Sequence, residues 1–172
     1  MAAALMTRQI RDLADPVQVS SAGVLDAGLP VPEEVSEVMA PFGIDLSGHR
    51  SQRMTASLLK SCDLVVGMGR RHVQEAVLLD PPCWPQAFTF KELVRRGEEV
   101  GARRPDQGVR SWIESVQGDR SRASLARRST AEDIADPYGK PLDQYASTVA
   151  ELAHLTSRLA GLLWPDEVGY SM

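Results

Sequence analysis

The stretch Asp63-Leu64-Val65-Val66-Gly67-Met68 constrains the fold more than any other. A short, almost continuous apolar run is the pattern of a strand buried on both faces, the kind found in parallel sheets covered by helices. Its neighbours keep to that plan. Residues 3–14 place Met6, Ile10 and Leu13 on one helical face. Val17-Gln18-Val19-Ser20-Ser21 alternates as a short strand should, and Ala22-Gly23 turns the chain. Pro30 and Pro32 open a helix over 32–41, with Glu33 and Glu34 at the positive end of its dipole and Pro41 ending it. Thr55 caps a short helix to Lys60. A helix over 70–79 follows the apolar run and stops at Asp80-Pro81-Pro82. Ala87-Phe88-Thr89-Phe90 is a further strand, and a helix starts at Lys91. The longest helix spans 142–163, where Leu142, Tyr145, Val149, Leu152, Leu155 and Leu159 recur at three- and four-residue steps. Trp164-Pro165 ends it, and 166–172 read as a frayed tail. Strands alternating with helices imply an α/β protein, with a parallel sheet between two helical layers. With no repeats and no low-complexity linker, residues 1–172 read as one domain.

Composition narrows the function classes. A net charge of −4 does not point to nucleic acid or an anionic membrane, and no apolar run approaches the ~20 residues of a membrane span. Met1 to Met6 lacks the basic start of a signal peptide, so the expected location is cytoplasmic. Cys62 and Cys83 have neither metal-ligand nor disulfide spacing and read as small buried hydrophobes. No cofactor or metal is expected. His49, His72 and His154 lie in polar or helical settings that assign them no catalytic role.

Residues 95–128 hold nine arginines (95, 96, 103, 104, 110, 120, 122, 127 and 128) against five acids, a local +4 in a chain of −4. The plainer expectation is a solvated helical pair turned at Gly101, Gly108 and Gly118, burying Trp112, Ile113 and Val116. The sharper one is a basic surface for a phosphorylated or acidic partner.

Asp136-Pro137-Tyr138-Gly139 reads as chemistry. Pro137 restricts the residue before it to extended backbone, and Gly139 permits a sharp turn, so the loop fixes a carboxyl in place. The competing expectation is a helix N-cap at Asp136 with proline at the first helical position.

In order and spacing these segments resemble the low-molecular-weight protein tyrosine phosphatases. Val19-Ser20-Ser21-Ala22-Gly23 looks like that family's second strand and turn, and His49-Arg50-Ser51-Gln52-Arg53-Met54-Thr55 like its His-x-Ser-x-x-Leu-Thr segment. The run 63–68 with Arg70-Arg71-His72 looks like its third strand and next helix, and Asp136-Pro137-Tyr138-Gly139 like its acid loop. The likeness implies a three-layer α/β/α fold and reads 97–130 as an Arg-rich helical insertion. It implies hydrolysis of phosphate monoesters, with a phosphotyrosine protein or small aryl phosphate as substrate. Asp136 becomes the general acid and Tyr138 part of the substrate cleft, with Asp133 a possible charged neighbour of Asp136 or an ordinary loop-surface acid. The oligomeric state is not implied.

The family's Cys-x5-Arg-Ser-Pro loop has no counterpart here: six residues beyond Cys62 is Met68, and six beyond Cys83 is Thr89. In the family, the strand leading into that loop lies centrally, between the strands matching 17–21 and 63–68. The expectation is therefore a sheet lacking its first central strand, in a chain truncated just after that loop. Two other functions stay open: a non-catalytic remnant that binds a phosphorylated partner, and, less favoured, an arsenate reductase. The latter requires relay cysteines that the helix after Met68 lacks.

Overall fold

The apolar run and the strand after it pair as the alternation predicts. In the computed structural model, which describes residues 1–126 and 130–168, β1 (Val65–Gly67) lies parallel to β2 (Ala87–Thr89). Val65 faces Ala87 and Val66 faces Phe88. A parallel pair needs a crossover, and α4 (Arg70–Leu79) with a 3-10 segment (Pro81–Gln86) supplies it. Side chains alternate across the sheet. Val65 and Ala87 meet an apolar cluster made by Leu59, Val73, Val77, Cys83 and Trp84. Val66 and Phe88 meet the larger cluster on the opposite face. The result is the three-layer α/β/α arrangement.

Two expectations about the strands need correction. Residues 17–21 form no strand; Val17 is 41% exposed, and only a single parallel bridge, Gly23 to Arg53, pairs this region. Nor is β1 buried on both faces. Leu64, Val65 and Val66 are half-buried, whereas Ala87, Phe88 and Thr89 of β2 are 0%, 0% and 3% exposed. The physical reason is pairing: among the described residues β1 has a strand on one edge only.

The larger cluster is organised by α7 (Leu142–Leu163), whose Tyr145, Val149, Leu152, Leu155 and Leu159 are buried as their spacing predicts. Leu142 is the exception at 39% exposed. Each fully buried side chain of this kind contributes about 1.5–3 kcal/mol, so this stripe is a principal source of stability. Against α7 pack α1 (Ala2–Gln9), α2 (Glu33–Met39) and α5 (Phe90–Val100). Helix α1 ends five residues before the predicted 14, giving way to a turn. Pro41 sits inside a 3-10 turn (Ala40–Phe42) that extends α2 and ends at Gly43 in the left-handed region. Thr55 caps α3 (Ala56–Ser61) as predicted, accepting from the Leu58 N–H at 3.2 Å. The expected frayed tail is docked through 168: Val168 is buried, its N–H donates to the Trp164 carbonyl, and Glu167 accepts from the Ala14 N–H. Residues 169–172 lie outside the described residues.

The arginine-rich stretch is built into the fold. Helix α6 (Val109–Gln117) buries Trp112, Ile113 and Val116 as expected, and the Trp112 indole donates to the Gly101 carbonyl. Several arginines of this stretch are held by partners within the fold, while others such as Arg104 and Arg110 stay exposed. Arg103 donates to the Leu163 and Gln107 carbonyls, which satisfies the C-terminal end of α7. Arg96 binds the Val116 carbonyl, Arg95 pairs with Glu99 and Glu132, and Arg110 pairs with Asp63. Arg120 is the most committed. Its side chain is 3% exposed, lies 3.9 Å from the Phe88 ring centroid and 4.2 Å from that of Trp84, and forks onto both Glu92 oxygens. Burial of a guanidinium is tolerable because every direction is used: a carboxylate, two rings, the Ala87 carbonyl and Gln117. Arg127 and Arg128 lie outside the described residues.

Arg120→Ala therefore strands a mostly buried Glu92 carboxylate. It is expected to cost about 3–5 kcal/mol, read as a lowered urea midpoint. Arg104→Ala, at an exposed pair with Asp106, is expected to change stability by less than about 0.5 kcal/mol.

Candidate active site

Helix α4 begins at Arg70 behind Gly69, which has no side chain to cap it. A carboxylate from sixty-three residues away takes that role: Asp133 Oδ1 accepts the Arg70 N–H at 2.7 Å. Glycine is required for the approach, since a Cβ at position 69 would lie 2.9 Å from Asp133 Cγ. Asp133 is thus not the loop-surface acid that was the plainer expectation. It fastens the acid loop to a helix N-terminus, where a negative charge is favoured.

Further bonds fix the loop from other sides. The Ile134 N–H donates to the Met68 carbonyl at 2.7 Å, directly beyond the last residue of β1. Lys91 Nζ donates to the Asp133 carbonyl at 2.9 Å while pairing with Glu151 of α7 at 2.7 Å. The Thr148 hydroxyl reaches the Ala135 carbonyl at 3.4 Å. The loop is thereby held at the carboxyl end of a parallel strand, the usual place for sites in open α/β sheets.

Asp136 and Tyr138 lie on this loop, and both are exposed, Tyr138 by 75%. Asp136 Oδ1 accepts the Tyr138 N–H at 3.0 Å, the local turn that an aspartate before proline favours. Lys140 N–H returns to the Pro137 carbonyl at 2.9 Å, and Gly139, with φ +71°, donates to the Tyr145 hydroxyl at 3.2 Å. Pro137 is buried beneath. Asp136 does not cap α7, whose N-cap is Pro141. The Tyr138 ring stands in solvent.

Neither cysteine is placed to act as a nucleophile. Cys83 is 2% exposed, and burial, with the Asp80 charge beside it, pushes its thiol up to about 11. Burial also pushes the Cys62 thiol up, and its Sγ donates to the Leu58 carbonyl. His72 and His154 are exposed, and His49 is half-buried at a cavity that neither Asp136 nor Tyr138 lines. No cluster of metal-ligating residues occurs among the described residues. The fastening residues Asp133 and Lys91 carry no motif; only Gly69 at a helix start, without a capping side chain of its own, marks the place in the sequence.

Asp133→Ala is expected to cost about 1 kcal/mol through loss of the α4 cap and to expose the Arg70 amide to faster hydrogen exchange. Asp133→Asn keeps an acceptor oxygen and is expected to lower the melting temperature less than Asp133→Ala does.

Comparisons with known proteins bear on the family and the fold. The family model described as low molecular weight phosphotyrosine protein phosphatase matches residues 1–116. The probable low molecular weight protein-tyrosine-phosphatase EpsP of Ralstonia solanacearum is 36% identical over 85 residues, 49% of this chain. The match spans 59% of that relative's own length. A putative arsenate reductase of Halobacterium salinarum is 42% identical over 62 residues, 36% of this chain and 43% of the relative. Among solved structures, a low molecular weight protein tyrosine phosphatase from T. tengcongensis superposes with a TM-score of 0.68 at 28% identity, covering 94% of this chain and 88% of the other. The YwlE arginine phosphatase from Geobacillus stearothermophilus gives 0.68 at 25% identity, covering 99% and 88%. A model match over more than half the chain, joined to a shared fold, establishes kinship: this chain belongs to the low molecular weight phosphotyrosine protein phosphatase family.

Proposed function

We propose that the chain carries the acid half of a protein phosphatase site acting on phosphotyrosine, completed by a Cys-x5-Arg segment that pairs with the open edge of β1. The observation that carries this reading is the 2.7 Å bond from Ile134 N–H to the Met68 carbonyl, which sets the loop of Asp136 and Tyr138 at the carboxyl end of the sheet. The half-exposed Val65 and Val66 support the pairing.

In such a site a cysteine thiolate attacks phosphorus and forms a P–S bond as the P–O bond to the aryl group breaks. The departing phenolate takes its proton from the Asp136 carboxyl. Asp136, now a carboxylate, accepts a proton from the water whose oxygen bonds phosphorus as the P–S bond breaks, which releases inorganic phosphate and the cysteine thiolate. Exposure of Asp136 lets it serve both steps without rearrangement of the loop. Tyr138 supplies a flat face for the substrate ring. The expected location is the cytoplasm, in keeping with two unpaired thiols, and no described helix is long and apolar enough to cross a membrane.

The reading of residues 95–128 as a docking surface for an acidic partner is less well supported, because Arg95, Arg96, Arg103, Arg110 and Arg120 bind internal carboxylates and carbonyls. A helical insertion over about 97–130 remains our proposal for this part of the chain.

The test is hydrolysis of an aryl phosphate by the 172-residue chain and by a form extended upstream through Cys-x5-Arg-Ser-Pro. Turnover is expected only in the extended form, and Asp136→Asn is expected to lower its kcat by about 10²–10⁴-fold. Equal turnover by the Asp136→Asn variant would contradict the assignment of the acid. Preference for a phosphoarginine peptide over a phosphotyrosine peptide would contradict the assignment of the substrate.

A further inference from the structure

A wide-open cavity of about 630 Å³, lined mostly by exposed residues, lies between α1, residues 19–21 and the connection 43–52, and Asp136 and Tyr138 do not line it. Its charge is unlike that of the whole chain. Arg8, Arg11 and Arg50 line it against a single carboxylate, Asp45, an excess of two positive charges in a protein of −4. The three guanidinia are available to different degrees. Arg8, in the last turn of α1, has no ion pair among the described residues. Arg11 makes one bond, from Nε to Asp12 at 3.1 Å, with its side chain 68% exposed. Arg50 is held from behind: Nη1 donates to the Ser47 carbonyl at 3.0 Å and the His49 carbonyl at 2.7 Å. The residue is exposed and lines the cavity. Asp45 is already used, accepting the Ser47 N–H at 2.8 Å and the Ser47 hydroxyl at 3.0 Å, which holds its carboxyl below the usual range and fixes the loop that presents Arg50.

The rest of the lining combines hydrogen-bonding and apolar groups. Ser20, Ser21 and Gln52 offer hydroxyls and an amide, while Val19, Ile44 and Leu46 give an apolar floor. The volume suits a small organic molecule rather than a bare ion. Planar guanidinia match phosphoryl oxygens two at a time, and several spaced around one cavity match a ligand with more than one phosphoryl group. We propose that this cavity binds a small organic polyphosphate of nucleotide size, with its charged end on Arg8, Arg11 and Arg50 and its apolar body on Val19, Ile44 and Leu46. The proposal uses no residue of the acid loop.

The probe is metal-free ATP, titrated calorimetrically into the 172-residue chain at low ionic strength, with adenosine as the uncharged comparison. Saturable binding of ATP and none of adenosine is expected. Arg8→Ala/Arg11→Ala is expected to raise Kd at least tenfold and added salt to raise it further, while Arg104→Ala leaves it unchanged. Arg8 and Arg11 are exposed, so the double variant is expected to keep its melting temperature, and Arg50→Lys, which keeps charge but loses the fork, gives a second and smaller loss. Backbone amide shifts are expected at Ser20, Ser21 and Gln52. Absence of saturable binding, binding that survives the double variant, or shifts confined to other parts of the chain each overturn the proposal.

Discussion

The parallel pairing of β1 with β2 is the interaction on which the rest depends. It fixes which side chains face which helical layer: Val65 and Ala87 toward α3 and α4, Val66 and Phe88 toward α7. It also creates a carboxyl end at which two chain segments converge. One is the start of α4, with bare Gly69; the other is the acid loop, whose Asp133 fills the space that Gly69 leaves. Strand, helix cap and loop therefore form one unit. A glycine at the helix start and an aspartate far along the chain are two halves of a single contact. The same strand has no partner on its other edge among the described residues, and its valines are half-exposed for that reason. An unpaired edge of that kind is a site for strand addition.

Charge in this protein serves the fold where it is dense and remains available where it is sparse. In the stretch richest in arginine, Arg96, Arg103 and Arg120 are held by internal partners. Arg120 between two rings and Arg103 at the end of α7 close gaps that apolar groups could not, because each must satisfy carbonyls as well as fill space. By contrast Arg8 has no ion pair among the described residues, and Arg11 pairs with the exposed Asp12. Local density of arginine does not show which guanidinia hold internal partners; the hydrogen bonds of each one do.

Much of the fold was legible because periodicity reports burial directly. Helix α7 matches its predicted bounds, the Thr55 cap is present, and α4 begins and ends where the run and Asp80-Pro81 place it. The failures share a cause. Among the described residues, 17–21 have strand alternation but no strand partner, and β1 has the composition of a central strand with one edge open, because strand status depends on neighbours that alternation cannot see. The acid loop was legible from Asp136 to Gly139, since proline and glycine constrain the backbone locally. Its fastening by Asp133, Ile134 and Lys91 was not, because those bonds join positions far apart in the chain.

The claim that the acid loop is anchored at the end of β1 can be examined through a single hydrogen bond. A scalar coupling measured by NMR across Ile134 N–H to the Met68 carbonyl carbon reports that bond directly. A resolved coupling, together with an Ile134 amide that exchanges slowly, is the result predicted by the 2.7 Å contact. No coupling and an amide exchanging at the rate of an unstructured peptide would contradict it, and with it the placement of Asp136 at the carboxyl end of the sheet.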